Sequence, residues 1–225
     1  MVYNTMSITL GLITLGSFDV AVLEKQEIRI DEKTYQLNKW HLTEEQVQLV
    51  NASGLGALSI IRPGRIDHPL VSANVETWHS ETNTFYYNIR IGEMIPTLFD
   101  VYEILGLVVD DESVTCHPIS DLRQYIEDNF GIVLDGILSV LRHTWWKANF
   151  RELPLDASIV EVYRYTRAYL LFLISITIFA DVSVSTVPTR YLQFFEDIVG
   201  ASRYAWGAGA LAFRYRSLRK PCTFK

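Results

Sequence analysis

From Trp40 onward, apolar residues recur every three or four positions along most of the chain, the spacing that amphipathic helices show. Thr43 with Gln46 three positions later forms a capping box, which predicts that a helix begins there, and Ser53–Gly54 predicts its end. Similar signals predict further helices that begin near Asp67, Thr97, Ser120, Ala157 and Arg190. The pattern therefore predicts a mostly α, single helical domain.

Two of these helices carry detailed predictions. The helix after Asp67 and Pro69 is expected to place Val71, Val75 and Trp78 on one face. The next helix is capped by Thr97 with help from Asp100 and ends at Gly106, and its inward stripe is predicted to be Leu98, Val101, Tyr102 and Leu105. The predicted core includes Trp78, Leu105, Leu170 and Trp206.

Between these two predicted helices the spacing of apolar residues changes. The stretch TNTFYYNIRIGEMIPTL is rich in aromatic and β-branched residues, with Asn88 and Gly92 as breakers, and predicts a small β-hairpin near residues 83–96. Loose alternation in residues 1–38 allows one or two short N-terminal strands or an arm without regular structure.

The stretch YAWGAGALAFRYRSL contains G-x-G-x-x-A, a permitted form of the dinucleotide-binding fingerprint. A dinucleotide loop needs a strand before it and an acidic residue about 20 positions after it, and neither is present. Apolar residues instead follow a helical stripe: Tyr204, Ala208, Leu211, Tyr215 and Leu218. We therefore predict a helix whose Gly207 and Gly209 let a neighbouring helix approach closely.

Composition and charge narrow the class of protein. The chain of 225 residues, with 49% hydrophobic and 12% aromatic content, is that of a folded domain. Six basic and no acidic residues follow position 200, which leaves 14 basic and 26 acidic residues before it, so only the C-terminal tip could attract nucleic acid. The uncharged run AYLLFLISITIFA is too short for a membrane span and predicts a buried helix, while two cysteines favour a reducing compartment.

Three blocks of the sequence resemble the plant mobile domain, the module of MAIN-like (maintenance-of-meristems-like) plant proteins and of related transposon-encoded genes. The first is VNASGLGAL, and the second is VSANVETWHSETNTFYY followed by GEMIPTLFDVYEILGLVVD. The third is RAYLLFLISITIFAD with YLQFFEDIVGASRYAWGAGALAFRYRSL. The chain departs from the family pattern at His79, where the family often has a basic residue, and in a hairpin two residues longer than usual.

The resemblance implies a plant mobile domain over residues 40–219, preceded by an arm (1–39) and followed by a tail (220–225). The family-motif residues, expected to be structural, are Trp78, Phe85, Gly92, Glu93, Thr97, Asp100, Gly106, Arg167, Trp206 and Gly207. Family domains continue with further helices past Y-R-x-L, so the chain is expected to be short at its C-terminal end. The apolar stripe of the last helix is then expected to be exposed, and to self-associate or be covered by a partner or by a missing segment.

The resemblance also implies a nuclear protein that acts in transposon silencing, gene regulation, genome stability and meristem maintenance. It implies no known catalytic chemistry, no cofactor, and a serine/threonine phosphatase-like protein as the partner. No membrane association is expected.

An enzyme is the weaker alternative, suggested by the label "aminotransferase-like" that this domain carries. A pyridoxal-phosphate enzyme needs a Schiff-base lysine and a phosphate cup. Among the lysines, only Lys147 lies among aromatic residues, and no Gly/Ser-rich loop that could bind the phosphate accompanies it. We expect the aliphatic part of its side chain to lie along Trp145 or Trp146. Glu93 could pair with Asp100 or Glu81 for acid–base work, but a strand position for Glu93 and a helix cap for Asp100 favour structural roles for both.

The remaining candidate chemistry is metal binding or nucleic-acid binding. The five histidines lack metal-ligand spacing, and Cys116-His117-Pro118 has no second ligand pair, so no metal site is predicted. The basic residues Arg214, Arg216, Arg219 and Lys220, with Phe213 and Tyr215 between them, could contact phosphates. The sequence thus predicts a non-catalytic interaction module, with direct nucleic-acid binding through this basic patch as the alternative.

Overall fold

The structure is a computed structural model, and it describes residues 37–61, 74, 76–133, 135–180 and 186–219. The helices are α1 (Glu44–Ala52), α2 (Gly56–Ile60), α3 (Leu98–Leu105), α4 (Leu122–Phe130), α5 (His143–Phe150), α6 (Ile159–Ile176) and α7 (Trp206–Arg219). The strands are β1 (Trp78–His79), β2 (Thr84–Asn88), β3 (Gly92–Met94), β4 (Val140–Arg142) and β5 (Thr186–Pro188). Short 3-10 helices lie at Leu37–Lys39, Thr189–Phe195 and Gly200–Arg203. The predicted mostly α, single domain is confirmed.

Some predictions fall on residues that the structure does not describe. These are the N-terminal strands, the helix start at Asp67 and Pro69 with Val71 and Val75, and the tail from Lys220.

Helix α6 is the centre of the core. The Ser158 hydroxyl and the Glu161 carboxylate cap it reciprocally, which satisfies amide groups that the first turn leaves without a partner. Every residue from Ala168 to Ile176 is buried, because α1, α4, α5, β5 and the 3-10 helix Thr189–Phe195 pack around this half of the helix. The predicted buried helix is confirmed, and no helix among the described residues is long and apolar enough to cross a bilayer.

The other caps agree with the sequence in all but one case. Capping boxes begin α1 at Thr43 and α3 at Thr97, as predicted, and α3 ends at Gly106, whose φ of 63° is left-handed. The predicted cap at Ser120 is wrong by one residue, because the Asp121 carboxylate accepts the Gln124 amide hydrogen at 3.0 Å and begins α4.

The G-x-G-x-x-A stretch is helical, which confirms that prediction, although Tyr204 precedes α7 and does not belong to it. A Cβ added at Gly207 would lie 2.7 Å from Val109 Cγ1 and 3.1 Å from the Val108 carbonyl oxygen. The close neighbour is therefore α3 together with the extended segment after it, and the prediction of a helix alone was incomplete.

Two small antiparallel sheets complete the fold. The predicted hairpin is β2–β3, and β1 adds a third strand in which Trp78 lies opposite Phe85. Trp78 therefore belongs to a strand, and the prediction that it lies on a helix face is wrong. Strands β4 and β5 pair with each other, although α5 and α6 lie between them in the sequence.

A satellite cluster joins the three-stranded sheet to the end of α7. Trp78 meets Phe85 at a centroid distance of 4.9 Å, and Leu218 is buried against both. Trp78, Leu105, Leu170 and Trp206 are all buried, as predicted.

A candidate protein-interaction surface

The largest exposed apolar side chains around the hairpin lie on its turn and on the helix that follows. We call this set the hairpin–helix face; it consists of Ile89, Ile91, Ile95, Leu98, Phe99 and Tyr102. Ile89 is 93% exposed and Phe99 is 70% exposed, so these side chains stand in solvent. All six lie within residues 89–102, on the hairpin, the link that follows it and the first turns of α3, and exposed apolar patches mark partner sites more often than isolated apolar residues do.

Helix α3 presents apolar residues both to the core and to solvent. Val101 and Leu105 are buried, whereas Leu98, Phe99 and Tyr102 are exposed. The sequence placed Leu98 and Tyr102 on the inward stripe, and that prediction is wrong. The available signal was the helix sequence LFDVYEIL, which has more apolar residues than one buried stripe can hold.

The last helix holds this face in place. The Tyr215 hydroxyl donates a hydrogen bond to the Pro96 carbonyl at 2.8 Å. Pro96 follows Ile95 directly and lies in the link between β3 and α3. Burial, and secondarily the negative charge of Asp100, raise the pKa of Tyr215, so the hydroxyl remains a donor at neutral pH. Trp78 packs on Tyr215 with centroids 5.9 Å apart, which fixes the sheet to the same helix.

The surroundings of the face are acidic. Residues 76–112 contain eight carboxylates and one basic side chain, Arg90. Glu93 is exposed on β3 opposite Tyr86, and Glu103 is exposed one turn after Phe99. The face therefore combines apolar anchors with a negative rim, which suits a basic partner and repels nucleic acid.

The predicted basic patch is divided by the structure. Arg214 is buried and 5% exposed, and its burial lowers its pKa to about 9, so it stays charged at neutral pH inside the protein. The burial of Arg214 was not predicted, because a helical stripe read from apolar residues alone leaves out a buried cation. Arg216 is exposed, with its guanidinium 5.9 Å from the Phe213 ring centroid. The side chains of Arg219 and Lys220 lie outside the described residues.

The apolar stripe of α7 is covered within the chain. Leu211 and Leu218 are buried, and Tyr204, Ala208 and Tyr215 are half-buried. The expectation of an exposed stripe on this helix is therefore wrong, since α3 and the sheet pack on it. Exposed apolar side chains are found instead on the hairpin–helix face, and on other segments at residues such as Ile137, Leu155 and Ile159.

The family-motif residue Arg167 has structural contacts near the start of α7. Arg167 donates from Nε to the Phe195 carbonyl at 2.9 Å and from Nη2 to the Glu196 carbonyl at 3.0 Å. The Tyr125 hydroxyl donates to the Glu196 carboxylate, and burial together with this contact raises the pKa of Tyr125. These contacts hold the segment that leads into Trp206. Thr97 and Asp100 cap α3.

The candidate catalytic groups are distributed over separate elements. Glu93 is on a strand and Asp100 caps a helix, as expected. Lys147 lies on α5, where burial and the nearby Arg151 and Lys39 charges lower its pKa. Within the described residues, no group of three His, Cys, Asp or Glu side chains could hold a metal ion.

A statistical model of the plant mobile domain family matches residues 54–223. The chain belongs to the plant mobile domain family. The resemblance read from the three sequence blocks is thereby confirmed. The predicted domain limits, 40 and 219, remain predictions.

Curated relatives of this plant mobile domain come from Arabidopsis thaliana. "Protein MAIN-LIKE 2" is 41% identical over 201 residues, which cover 87% of this chain and 29% of that protein. "Protein MAINTENANCE OF MERISTEMS" is 40% identical over 210 residues, covering 88% and 42%. "Serine/threonine-protein phosphatase 7 long form homolog" is 31% identical over 198 residues, covering 86% and 14%. The chain thus spans less than half the length of these relatives, and no solved structure matches it.

Proposed function

We propose that this plant mobile domain is a non-catalytic protein-interaction module that acts in the nucleus, in transposon and gene silencing, genome stability and meristem maintenance. Its partner is a serine/threonine phosphatase-like protein. Family membership supports the biological setting, and the names of two relatives, one for meristems and one for a phosphatase, agree with it.

The observation that carries the proposal is the hairpin–helix face. Aromatic anchors such as Phe99 and Tyr102 contribute most of the binding energy in many interfaces when a partner buries them. Free in water, they expose apolar area that favours association, at roughly 25 cal/mol for each Å² buried.

Charge complementarity determines the chemistry of the partner. The acidic rim, with Glu93 and Glu103 exposed beside the anchors, matches a protein segment that carries apolar residues flanked by Lys or Arg. We therefore assign this face to a basic, apolar segment of the phosphatase-like partner. Binding should weaken as salt is raised, because salt screens exposed charges.

The interaction is tested by retention of a phosphatase-like protein from plant nuclear extract on the immobilised chain. The double variant Phe99→Asp, Tyr102→Asp places two charges among the anchors, and we expect it to retain about tenfold less of that protein than the unmodified chain. Leu155→Asp is the matched control, because Leu155 is fully exposed (108%) on the loop before α6 and outside the face. Mass spectrometry identifies the retained protein, and thermal melting checks that all variants are folded.

The proposal is contradicted if no phosphatase-like protein is retained, or if the double variant retains as much as Leu155→Asp. Retention that is unaffected by salt would remove the assignment of a basic partner segment.

The absence of pyridoxal chemistry is a separate prediction. The lowered pKa of Lys147 makes its amine more nucleophilic, so imine formation at this residue is tested directly with pyridoxal phosphate. With pyridoxal phosphate added at equimolar concentration, we expect no imine absorbance that depends on Lys147. An absorbance of that kind would disappear in Lys147→Arg and persist in the control variant Lys39→Arg. Borohydride reduction followed by peptide mapping would locate any adduct, and a selective adduct at Lys147 would restore the enzyme alternative.

A further inference from the structure

A cavity of about 570 Å³ opens on the side of α7 that carries Arg216. Its walls come from the loop after Cys116, from β4 and β5, from the 3-10 helix Thr189–Phe195 and from α7. This size is within the range of small-molecule sites. The cavity and the hairpin–helix face share no residues.

The floor of the cavity is a row of three aromatic rings. Phe179 stacks on Tyr191 with centroids 4.7 Å apart and planes 15° apart, and meets Phe213 edge-on at 5.6 Å. A guanidinium lies at each end of the row. Arg190 is 4.9 Å from the Tyr191 centroid, and Arg216 is 5.9 Å from the Phe213 centroid. Two exposed cations thus flank one apolar floor.

The polar groups around this floor are donors and hydroxyls. His117, Ser139, Thr186 and Ser217 line the cavity, and none of the described lining residues is a carboxylate. In the part of the chain that the structure describes, the ion pair present is Arg123 with Asp135, so neither Arg190 nor Arg216 is neutralised by a described acidic residue. In a chain of net charge −6, two such cations at one cavity are a local exception.

The walls are connected to each other. The Gln193 side chain accepts the His117 amide hydrogen at 2.9 Å and donates to the Arg190 carbonyl at 2.6 Å. The Thr189 hydroxyl donates to the Leu138 carbonyl at 2.8 Å, next to Ser139. The cavity is therefore formed before any ligand arrives, which reduces the entropy cost of binding.

We propose that this cavity binds a small phosphate-bearing molecule with a planar ring, a nucleoside phosphate. Guanidinium groups donate paired hydrogen bonds that match phosphate oxygens, and their planar form also stacks on aromatic rings. The apolar floor packs against the base, and of the two guanidiniums at its ends one binds the phosphate and the other stacks on the base. The ligand class goes beyond the proposed partner interaction and does not depend on it.

Calorimetric titration of the purified chain with AMP tests the assignment, with adenosine and inorganic phosphate as the two halves of the ligand. We expect saturable AMP binding, with each half at least about tenfold weaker, because each half uses only one part of the site. Arg190→Gln and Arg216→Gln should each weaken AMP binding about tenfold or more, since each removes a charged hydrogen-bond donor. Arg203→Gln removes an exposed charge from a 3-10 helix outside the cavity and should leave binding unchanged.

Both cavity arginines are exposed, so their variants should melt as the unmodified chain does. Absence of saturable AMP binding would overturn the assignment, as would equal binding by all three arginine variants. A short single-stranded oligonucleotide is the last probe. If it binds more tightly than AMP and loses affinity in the same two variants, a nucleic-acid strand is the ligand and the assignment to a free nucleotide is wrong.

Discussion

Replacing Trp206 by alanine is expected to lower the free energy of unfolding by roughly 3–5 kcal/mol, the range for removal of a buried Trp. The side chain is 1% exposed and stacks on Phe195, with centroids 5.5 Å apart and planes 9° apart. Its indole nitrogen donates to the Ala201 carbonyl at 2.8 Å, so the substitution also removes one of the two hydrogen bonds that this carbonyl accepts, the other coming from the Tyr204 amide at 3.3 Å. Urea denaturation monitored by circular dichroism measures the change.

Tyr102→Ala is the matched control, because it also removes an aromatic ring but from an exposed position on α3. Substitutions at such sites usually change stability by less than about 0.5 kcal/mol. A loss below about 1 kcal/mol for Trp206→Ala would contradict the burial of this ring, given the range for buried aromatic residues.

Gly207→Val is expected to cost about 1–3 kcal/mol, the usual cost of overpacking. The added Cβ would meet Val109 Cγ1 at 2.7 Å, Val101 Cγ1 at 3.1 Å and the Val108 carbonyl oxygen at 3.1 Å. That carbonyl also accepts the Gly207 amide hydrogen at 2.8 Å, so moving it to relieve the clash lengthens a hydrogen bond.

Ala212→Val on the exposed side of the same helix is the control for the helix propensity of valine. It should cost no more than about 0.7 kcal/mol, because only helix propensity changes there. If the two valine variants unfold at the same urea concentration, the close approach at Gly207 is not a stability determinant.

Local signals in the sequence were sufficient for several helices, whereas α2 and α5 were not predicted. The capping boxes at Thr43 and Thr97 and the stripe in α7 involve residues three to seven positions apart, and these elements were predicted correctly. Helical periodicity gives the direction of a buried side but not its width. For this reason Leu98 and Tyr102 were placed inside, and the burial of Arg214 was missed.

Non-local pairing explains the remaining differences. Strand β1 has two residues, and β4 and β5 have three each, which is too short for an alternating pattern to be recognised. Each exists because of its partner strand, and β4 and β5 are separated in sequence by all of α6. The cavity walls that these strands help to form were invisible in the sequence for the same reason.

The contact between the segment after α3 and the start of α7 has a consequence for biosynthesis. Glu112 and Val108 exchange backbone hydrogen bonds with Arg203, Ala205 and Gly207, residues that leave the ribosome much later. Closing so long a loop is entropically costly and slow, and the sheet gains Leu218 and Tyr215 as packing partners only at that step. During translation, Trp78 and Phe85 therefore lack their cover until α7 has emerged, and a nascent chain paused before Trp206 should bind chaperones that recognise exposed aromatic side chains.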